Sequence, residues 1–563
     1  MKKPRQKTFV KWLVLSLFLI GLTPTLLFAQ NALKGKVVDE KNLPLPGAGV
    51  KLTTSGRVTV TDNEGNFSIN TTENDKTFIV SFIGYPSQEI TIKPGVSTYN
   101  VNLTPDSKNL NEVVVIGYGT QKRRDVTGSV VSLSGSAIKE VPAANIQQAL
   151  QGRMAGVEVQ SVGTRPGAGA QIRIRGERSI NASNDPLFVV DGIPYGGTLN
   201  DINPDDIASL DVLKDASATA IYGSRGANGV VLITTKRGIA GDTRVSFNSY
   251  YGISQITKKY NVYDADQYRA LRDYSVYAQD YLADEKQGIA ENRNTDWQDL
   301  MYKDGYITDN NISVSGGNEQ GQFSVGGGFF KQTSVLPSQD FTRGSFKATG
   351  DFKIGKRVKV GFNNLTNYSI TNGSQFGLNV FPLLTLSPLS SPYLDGVVNK
   401  KPAGNLDDLN TTYSPLLLNT NNNQWTDRVR RFRTFNSLYG EVQIIEGLKY
   451  RLNAGLDFNQ EEGAQFRGTD SYFRPALGNT AAVNNGTGTK YSLDNLLTYD
   501  KTFATKHRVS VTALFGFERE QYHNTTVSKD SITADFVQWY NLGQSSVGPV
   551  AILGASESSA TLI

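Results

Sequence analysis

The chain has 563 residues, with 57 Lys and Arg against 52 Asp and Glu and a formal charge of +5. Five of the cations (Lys2, Lys3, Arg5, Lys7 and Lys11) precede the first apolar run, so the remainder balances at 52 against 52 and lacks the basic footprint of a nucleic-acid binder. No cysteine is present, which excludes disulfides, thiolate metal sites, a cysteine nucleophile and a lipid-carrying leader cysteine. The two histidines, His507 and His523, exclude a His-rich metal centre or an upstream His-based triad. Fifty-five glycines, 10% aromatics and 19% charged residues suit a mainly β chain with many tight turns.

In chain order, Met1 to Lys11 is a positive n-region and Trp12 to Ile20 an apolar h-region. Leu26-Leu27-Phe28-Ala29 leads to a cut before Gln30, so residues 1–29 read as a secretory signal peptide. Residues 31–104 carry five short apolar runs (36–38, 49–52, 66–69, 78–82 and 98–101) separated by Pro44 to Gly47, Asp62 to Gly65 and Lys93 to Gly95. That spacing predicts a β-sandwich. Asp62 to Gly65 lacks the downstream glutamate of a calcium loop and is expected to be a hairpin turn.

Residues 105–118 combine a polar linker with the β-prone run Leu110, Asn111, Glu112, Val113, Val114, Val115, Ile116, Gly117, Tyr118. Such a run either adds a strand to a partner's sheet or is the first strand of the next domain, and its residues alone favour neither. Residues 119–238 alternate helix and strand signals. They predict helices over Ala143 to Leu150 and Pro204 to Lys214, a half-exposed strand over Gln171 to Gly176, and buried strands over Pro186 to Gly192 and Gly229 to Thr235. This is an α+β domain.

From Thr243 the period becomes two. Val358, Val360 and Phe362, then Leu452, Ala454, Leu456 and Phe458, then Val509, Val511, Ala513, Phe515 and Phe517 alternate with polar residues, as lipid-facing barrel strands require. Short links at Gly355-Lys356, Glu446-Gly447 and Thr502 to Lys506 contrast with the long polar regions 255–308, 370–432 and 459–490, the asymmetry of outer-membrane barrels. Nine strands are expected in 243–563, near 244–254, 310–317, 322–332, 343–353, 357–368, 433–445, 448–459, 490–500 and 507–522. Asn524 to Ile563 reads as a loop-like tail. Nine is odd, and a lumen holding a 120-residue domain takes about 22 strands, so the expectation is a partial transmembrane barrel whose strands 1 and 9 are outer edges.

No catalytic motif emerges. Gly486 to Lys490 has the wrong spacing for a phosphate loop, and the glycine-rich Gly223 to Gly229 precedes a strand, which fits a chain reversal rather than a phosphate cradle. No enzyme activity, cofactor or metal is expected.

Three stretches in 119–238 carry a resemblance. Ile172-Arg173-Ile174-Arg175-Gly176, Pro186 to Pro194 with Asp191 and Gly192, and Leu213 to Val230 with Tyr222, Gly223, Arg225 and Gly226 closely resemble the plug of SusC/RagA-type TonB-linked outer-membrane proteins. The resemblance implies a carboxypeptidase-regulatory-like domain at 31–104, a TonB box at Leu110 to Tyr118, a plug at 119–238 and the first part of the barrel at 243–563. It also implies import of oligosaccharides or peptides across the outer membrane of a Bacteroidota cell. TonB would be the energy-coupling partner, drawing on the inner-membrane proton gradient, and a SusD-like lipoprotein would be the lid. A siderophore or cobalamin receptor and a secreted β-rich adhesin are the rival readings. Arg173, Arg175 and Asp191 are read as ions that hold the plug together, and Gly176 and Gly192 as backbone-geometry positions. Phe376, Phe381, Tyr393, Tyr413 and Trp425 are the candidate substrate contacts of the long loops.

Overall fold

The computed structural model describes residues 31–39, 42–72, 74–82, 85–93, 95–103, 113–116, 119–122, 129–139, 146–163, 165–275, 280–373, 381–402, 413–418, 424–473, 478–503, 507–543 and 550–562. The expected signal peptide lies outside them, as do Leu110, Asn111, Glu112, Gly117, Tyr118 and Phe376. The described residues fall into two compact units, one of the residues up to Val114 with Lys122, the other of those in Val115–Gln121 and from 129 onward.

The first unit is a two-layer sandwich. One sheet places β1 (Asn31–Val38) between β4 (Asn66–Thr71), antiparallel, and β7 (Thr98–Asn102), parallel. The other runs β3 (Val58–Val60), β2 (Gly49–Leu52), β5 (Thr77–Phe82), β6 (Tyr85–Thr91). Alternate residues of both sheets (Val37, Phe67 and Val101; Val50, Leu52, Phe78 and Val80) meet in one core. Phe78 stands edge-on to Tyr99 with ring centroids 5.3 Å apart. Two strands exceed the five expected runs: β3 exposes Val58 and Val60, and β6 is mostly polar, so neither shows an apolar run. The turn at Asp62 is not a hairpin. It carries the chain from β3 in one layer to β4 in the other, with Asp62 Oδ1 accepting the Glu64 and Asn66 N–H groups at 2.9 and 2.8 Å.

Further along the chain, β8 (Val113–Ile116) and β9 (Gly119–Lys122) form a two-stranded sheet. The second unit then opens with a five-stranded sheet ordered β10 (Val130–Ser134), β15 (Ile207–Leu213), β16 (Val230–Thr235), β13 (Leu187–Val190), β14 (Ile193–Pro194), beside a hairpin of β11 (Val157–Ser161) and β12 (Ala170–Ile174). The expected helix over Pro204 to Lys214 is corrected. Only Pro204–Asp206 form a 3-10 turn, capped by Asn203, and Ile207–Leu213 form a buried strand paired on both sides. Asp205 and Asp206 do lie in a first turn, but Ile207, Leu210, Val212 and Leu213 are buried in the sheet, and that burial overrides the helix-start signal. Of the other expected helix, Ile146–Leu150 are helical, and Ala143 to Asn145 lie outside the described residues.

Ten antiparallel strands follow in simple up-and-down order: β17 (Gly241–Ser254), β18 (Gly305–Gly317), β19 (Gly321–Thr333), β20 (Asp340–Ile354), β21 (Val358–Asn372), then, past the small loop hairpin of β22 (Tyr393–Leu394) and β23 (Val397–Val398), β24 (Trp425–Ile445), β25 (Leu448–Arg467), β26 (Asn479–Phe503), β27 (His507–Ile532) and β28 (Val550–Leu562). Among the described residues the nine expected strands are corrected to ten, and β27 is not an edge: it extends to Ile532 and pairs with β28 from Gly516↔Leu562 to Ser528↔Val550. Pairing along β27 is made by backbone groups that any residue supplies, so the tail expected to be a loop adds a strand. Among the described residues β17 and β28 are the two ends of the sheet, which does not close on itself.

The links at one end stay at two or three residues, and the long connections gather at the other. The third of these is only 468–478, because β25 and β26 run well past the expected strand ends. The period-two alternation holds: Leu438, Leu456, Leu493, Phe515 and Phe517 are exposed on the outer face. Arg433, Asp457, Lys490 and Glu518 face inward, onto the α+β region. No helix among the described residues is long and apolar enough to cross a membrane.

The seam between plug and barrel wall

The α+β region sits against the inner face of the sheet through bonds that span up to 293 residues of sequence. Arg433 of β24 donates to both carboxylate oxygens of Asp457 on β25 at 2.9 and 2.6 Å, lies 3.8 Å from Asp201, and stacks over Tyr195 with its guanidinium carbon 4.8 Å from the ring centroid. Asp457 also accepts the Gly196 N–H at 3.1 Å. Arg343 of β20, fully buried, donates to the carbonyls of Asn200 and Ile202 at 2.8 and 3.4 Å. Asn203 donates to Asn311 at 2.6 Å, and Asn311 to Asp205 at 2.6 Å. Burial raises the Asp206 carboxyl above its ordinary value, opposed by the Lys347 ammonium 3.9 Å away. Burial and the neighbouring Lys139 ammonium push Lys236 down to about 8.

The motif residues occupy both the interior and the seam. Arg173 pairs with Asp185 at 2.6 Å and Arg175 with Asp215 at 2.5 Å, inside the plug-like region. Arg175 and Asp191 hold positive φ of 58° and 48°, each followed by a glycine, Gly176 at 85° and Gly192 at 88°. An L-residue followed by glycine in this conformation makes a sharp turn that two side-chain-bearing residues would strain. Asp191, its side chain 3% exposed, accepts the Thr235 N–H and hydroxyl at 2.9 and 2.7 Å, and Asn363 of β21 at 2.6 Å. Arg237 joins it at 3.5 Å and reaches Asp351 of β20 at 2.6 Å. Asp191 is therefore a junction between plug and wall as well as a turn residue. Tyr222 is buried, Gly223 carries φ 60°, Gly226 is packed against Thr219, and Arg225 pairs with Glu518 of β27 at 2.5 Å. Sequence reasoning missed the wall-side partners Asn363, Arg433, Asp457 and Glu518. The period-two pattern marks them as inward-facing, but names no partner.

Of the box, Val113 to Ile116 form β8, paired with β9. Of the loop aromatics, Phe381 and Tyr393 are exposed. Trp425 is half-buried as the first residue of β24, packed edge-on to Phe473 at 5.5 Å and against the loop core of Trp297, Met301, Leu383 and Leu416. Tyr413 is half-buried, with the Lys401 ammonium 5.4 Å from its ring centre. The loops 255–304 and 373–424 are joined through Asp284, which accepts Arg293 at 2.8 Å and the Ser391 N–H at 3.0 Å, and through the Trp297 indole N–H on the Ser387 carbonyl at 3.0 Å.

Residues 122–230 match the TonB-dependent Receptor Plug Domain, and residues 33–115 the CarboxypepD_reg-like domain. The chain is 32% identical over 559 residues to TonB-dependent receptor P3 of Formosa agariphila, covering 97% of this chain and 54% of that one. It is 42% identical over 328 residues to TonB-dependent receptor SusC of Bacteroides thetaiotaomicron, covering 56% and 32%. The solved RagAB peptide importer in its open-open state superposes with a TM-score of 0.66 at 26% identity, over 80% of this chain and 54% of that one. The chain thus spans about half the length of the first of these relatives, or less. With the plug sequence, the appended β domain and the plug-on-wall architecture in agreement, the chain belongs to the SusC/RagA family of TonB-dependent receptors.

Proposed function

We propose that this chain serves TonB-dependent import of oligosaccharides or peptides across the outer membrane, in concert with a SusD-like surface lipoprotein. Residues 1–29 would export it, 31–104 form the appended domain, 105–118 the linker and box, 119–238 the plug, and 243–563 part of the barrel. The observation that carries the reading is the plug–wall seam. The buried cluster Arg433–Asp457–Asp201 and the half-buried pair Arg237–Asp351 hold the plug against the wall. Breaking one partner of a buried ion pair costs about 3–5 kcal/mol, so a passage past this plug calls for work done from outside the barrel. A box that adds a strand to TonB would deliver that work through the chain leading into β10, without an ATP site.

Strand addition runs on backbone pairing, so single side-chain changes in Glu112 to Ile116 should be mild. Val114→Pro removes a donor and fixes φ. It should abolish uptake of the substrate that supports growth while leaving the amount of receptor in the outer membrane unchanged. Normal uptake by that variant would reject the box assignment.

A further inference from the structure

The chain leaving β27 builds a surface on the outer side of the wall. Ser531, at φ 56°, is an extra residue in the β27 register, and Ile532 beyond it turns to the outer face. Residues 534–542 then fold back over that face. Ala534, Val537, Trp539 and Leu542 pack on Ile532, on Phe466 of β25 and on Ala481 of β26, and Phe466 is fully buried there, whereas Leu456 on the same face of β25 is exposed. Asp535 pins this strap by accepting the side-chain amides of Gln424 at 2.5 Å and Asn479 at 2.7 Å. Two large aromatic faces stay uncovered, Phe536 at 80% and Tyr540 at 73% exposed, with Tyr540 stacked on Trp539 at 4.4 Å. Two cations of β24 lie beside the strap. Inward Arg431 and Arg433 alternate with outward Arg428, Arg430 and Phe432, and Phe432 meets Phe458 of β25 on the outer face, ring centroids 6.4 Å apart. The Arg428 guanidinium lies over the Trp539 ring, 5.2 Å from its centroid. Arg430 stands 3.9 Å from Glu462, outside hydrogen-bonding distance. The Nε of each arginine is buried with no hydrogen-bond partner among the described residues. The two arginines are about 7 Å apart along the strand, and Phe432, at the margin of the apolar band, is about 7 Å further on.

We propose that Arg428, Arg430 and the strap aromatics Phe536, Trp539 and Tyr540 bind the headgroup of a phosphorylated glycolipid in the outer leaflet of the membrane. The proposal rests on the outer-membrane placement in the import reading above, and it concerns the lipid side of the wall rather than the lumen. From the apolar band outward the chemistry follows the order of such a lipid. Phe432, Leu438 and Leu456 face the acyl chains, two guanidiniums come within reach of one phosphate, and exposed ring faces lie beside them for the sugar that carries it. Guanidinium forks match phosphate oxygens, and a buried Nε without an acceptor is a standing cost that a bound anion relieves. Because Asp535 already fixes the strap, little order is lost on binding. A glycerophospholipid would use the cations but bring no ring to Phe536 and Tyr540.

The test is native mass spectrometry of the full chain in detergent micelles, incubated with monophosphoryl lipid A, the same lipid A stripped of its phosphate, phosphatidylglycerol or phosphatidylethanolamine. Monophosphoryl lipid A should be retained about tenfold more strongly than each of the other three. Arg428→Gln and Arg430→Gln should each weaken retention about tenfold, and the double variant Phe536→Ser/Tyr540→Ser about threefold. Glu462→Gln should strengthen it, because a competing anion beside Arg430 is gone. Lys331→Gln, on β19 three strands away, should change nothing. Unchanged hydrogen-exchange protection of β24 and β25 will show that each variant is folded. Equal retention of the phosphate-free lipid or of phosphatidylglycerol would overturn the site. So would arginine variants within about twofold of the parent, or a Lys331→Gln loss as large as that of Arg430→Gln. Val114→Pro should retain the lipid as the parent does. If it does so while still importing normally, the coupled-import reading fails and the lipid site stands.

Discussion

Replacing Arg433 by Met tests whether the seam holds the plug. The substitution keeps most of the side-chain length and removes the charge. It leaves Asp457 and Asp201, whose side chains are 3% and 2% exposed, without the cation that lies 2.6 and 3.8 Å from them. The stacking on Tyr195 goes as well. Losing one partner of a buried pair costs about 3–5 kcal/mol and a desolvated cation–π contact about 1–2. Proton uptake by one orphaned carboxylate will offset part of this, so we take about 3 kcal/mol for local opening, or roughly a hundredfold. Hydrogen exchange of the full chain in micelles should show amides in Tyr195 to Ile202 exchanging about a hundredfold faster, with β19 and β20 unchanged. The double variant Arg433→Met/Asp457→Asn should recover part of the loss, because one of the two stranded charges is gone. Exchange in 195–202 within about threefold of the parent would refute the claim that this ion cluster seats the plug.

Other expectations follow from the same geometry. Asp75 of the sandwich is buried; desolvation works against its ionised form, but bonds from the Thr72 N–H and hydroxyl and the Ser55 N–H hold its pKa at about 2 against 3.8. A depressed carboxylate contributes stability that is complete above about pH 4 and lost as pH falls toward 2. The sandwich should therefore lose about 2 kcal/mol across that window in acid-unfolding curves, and Asp75→Asn should flatten the dependence. Asp284→Ala cuts the link between the two long loops and should expose 255–304 and 373–424 to limited proteolysis while the strands stay protected; an unchanged digest would argue against the link. Because the chain has no native cysteine, Val397→Cys, at an exposed loop hairpin, should label with an impermeant maleimide on intact cells, and Lys356→Cys, in a short turn, should not. Equal labelling would contradict the barrel orientation.

What the sequence determined by itself was whatever is written in local period and local turn chemistry. Val509 to Phe517 alternate because one face meets lipid, and Gly176 and Gly192 follow Arg175 and Asp191 because a sharp turn in the positive-φ region needs glycine. The motif stretch ending at Gly229-Val230 was legible by its resemblance to the family's plug, although its Arg225 finds a partner 293 positions away. Tertiary structure decided everything settled by a partner far away in the chain. Ile207–Leu213 became a strand because β10 and β16 flank it, although its first residues signal a helix start. Trp425 is half-buried because a separate loop core, with Trp297 and Leu416, formed beside it. Strand β28 exists because β27 offers it a free row of backbone groups. The seam itself, from Asp191 on Asn363 to Arg225 on Glu518, joins residues 172 and 293 positions apart. Charge complementarity across such distances leaves no periodic trace in the sequence; only the folded sheet, by setting which side chains face inward at which height, determines which of the many carboxylates and cations meet.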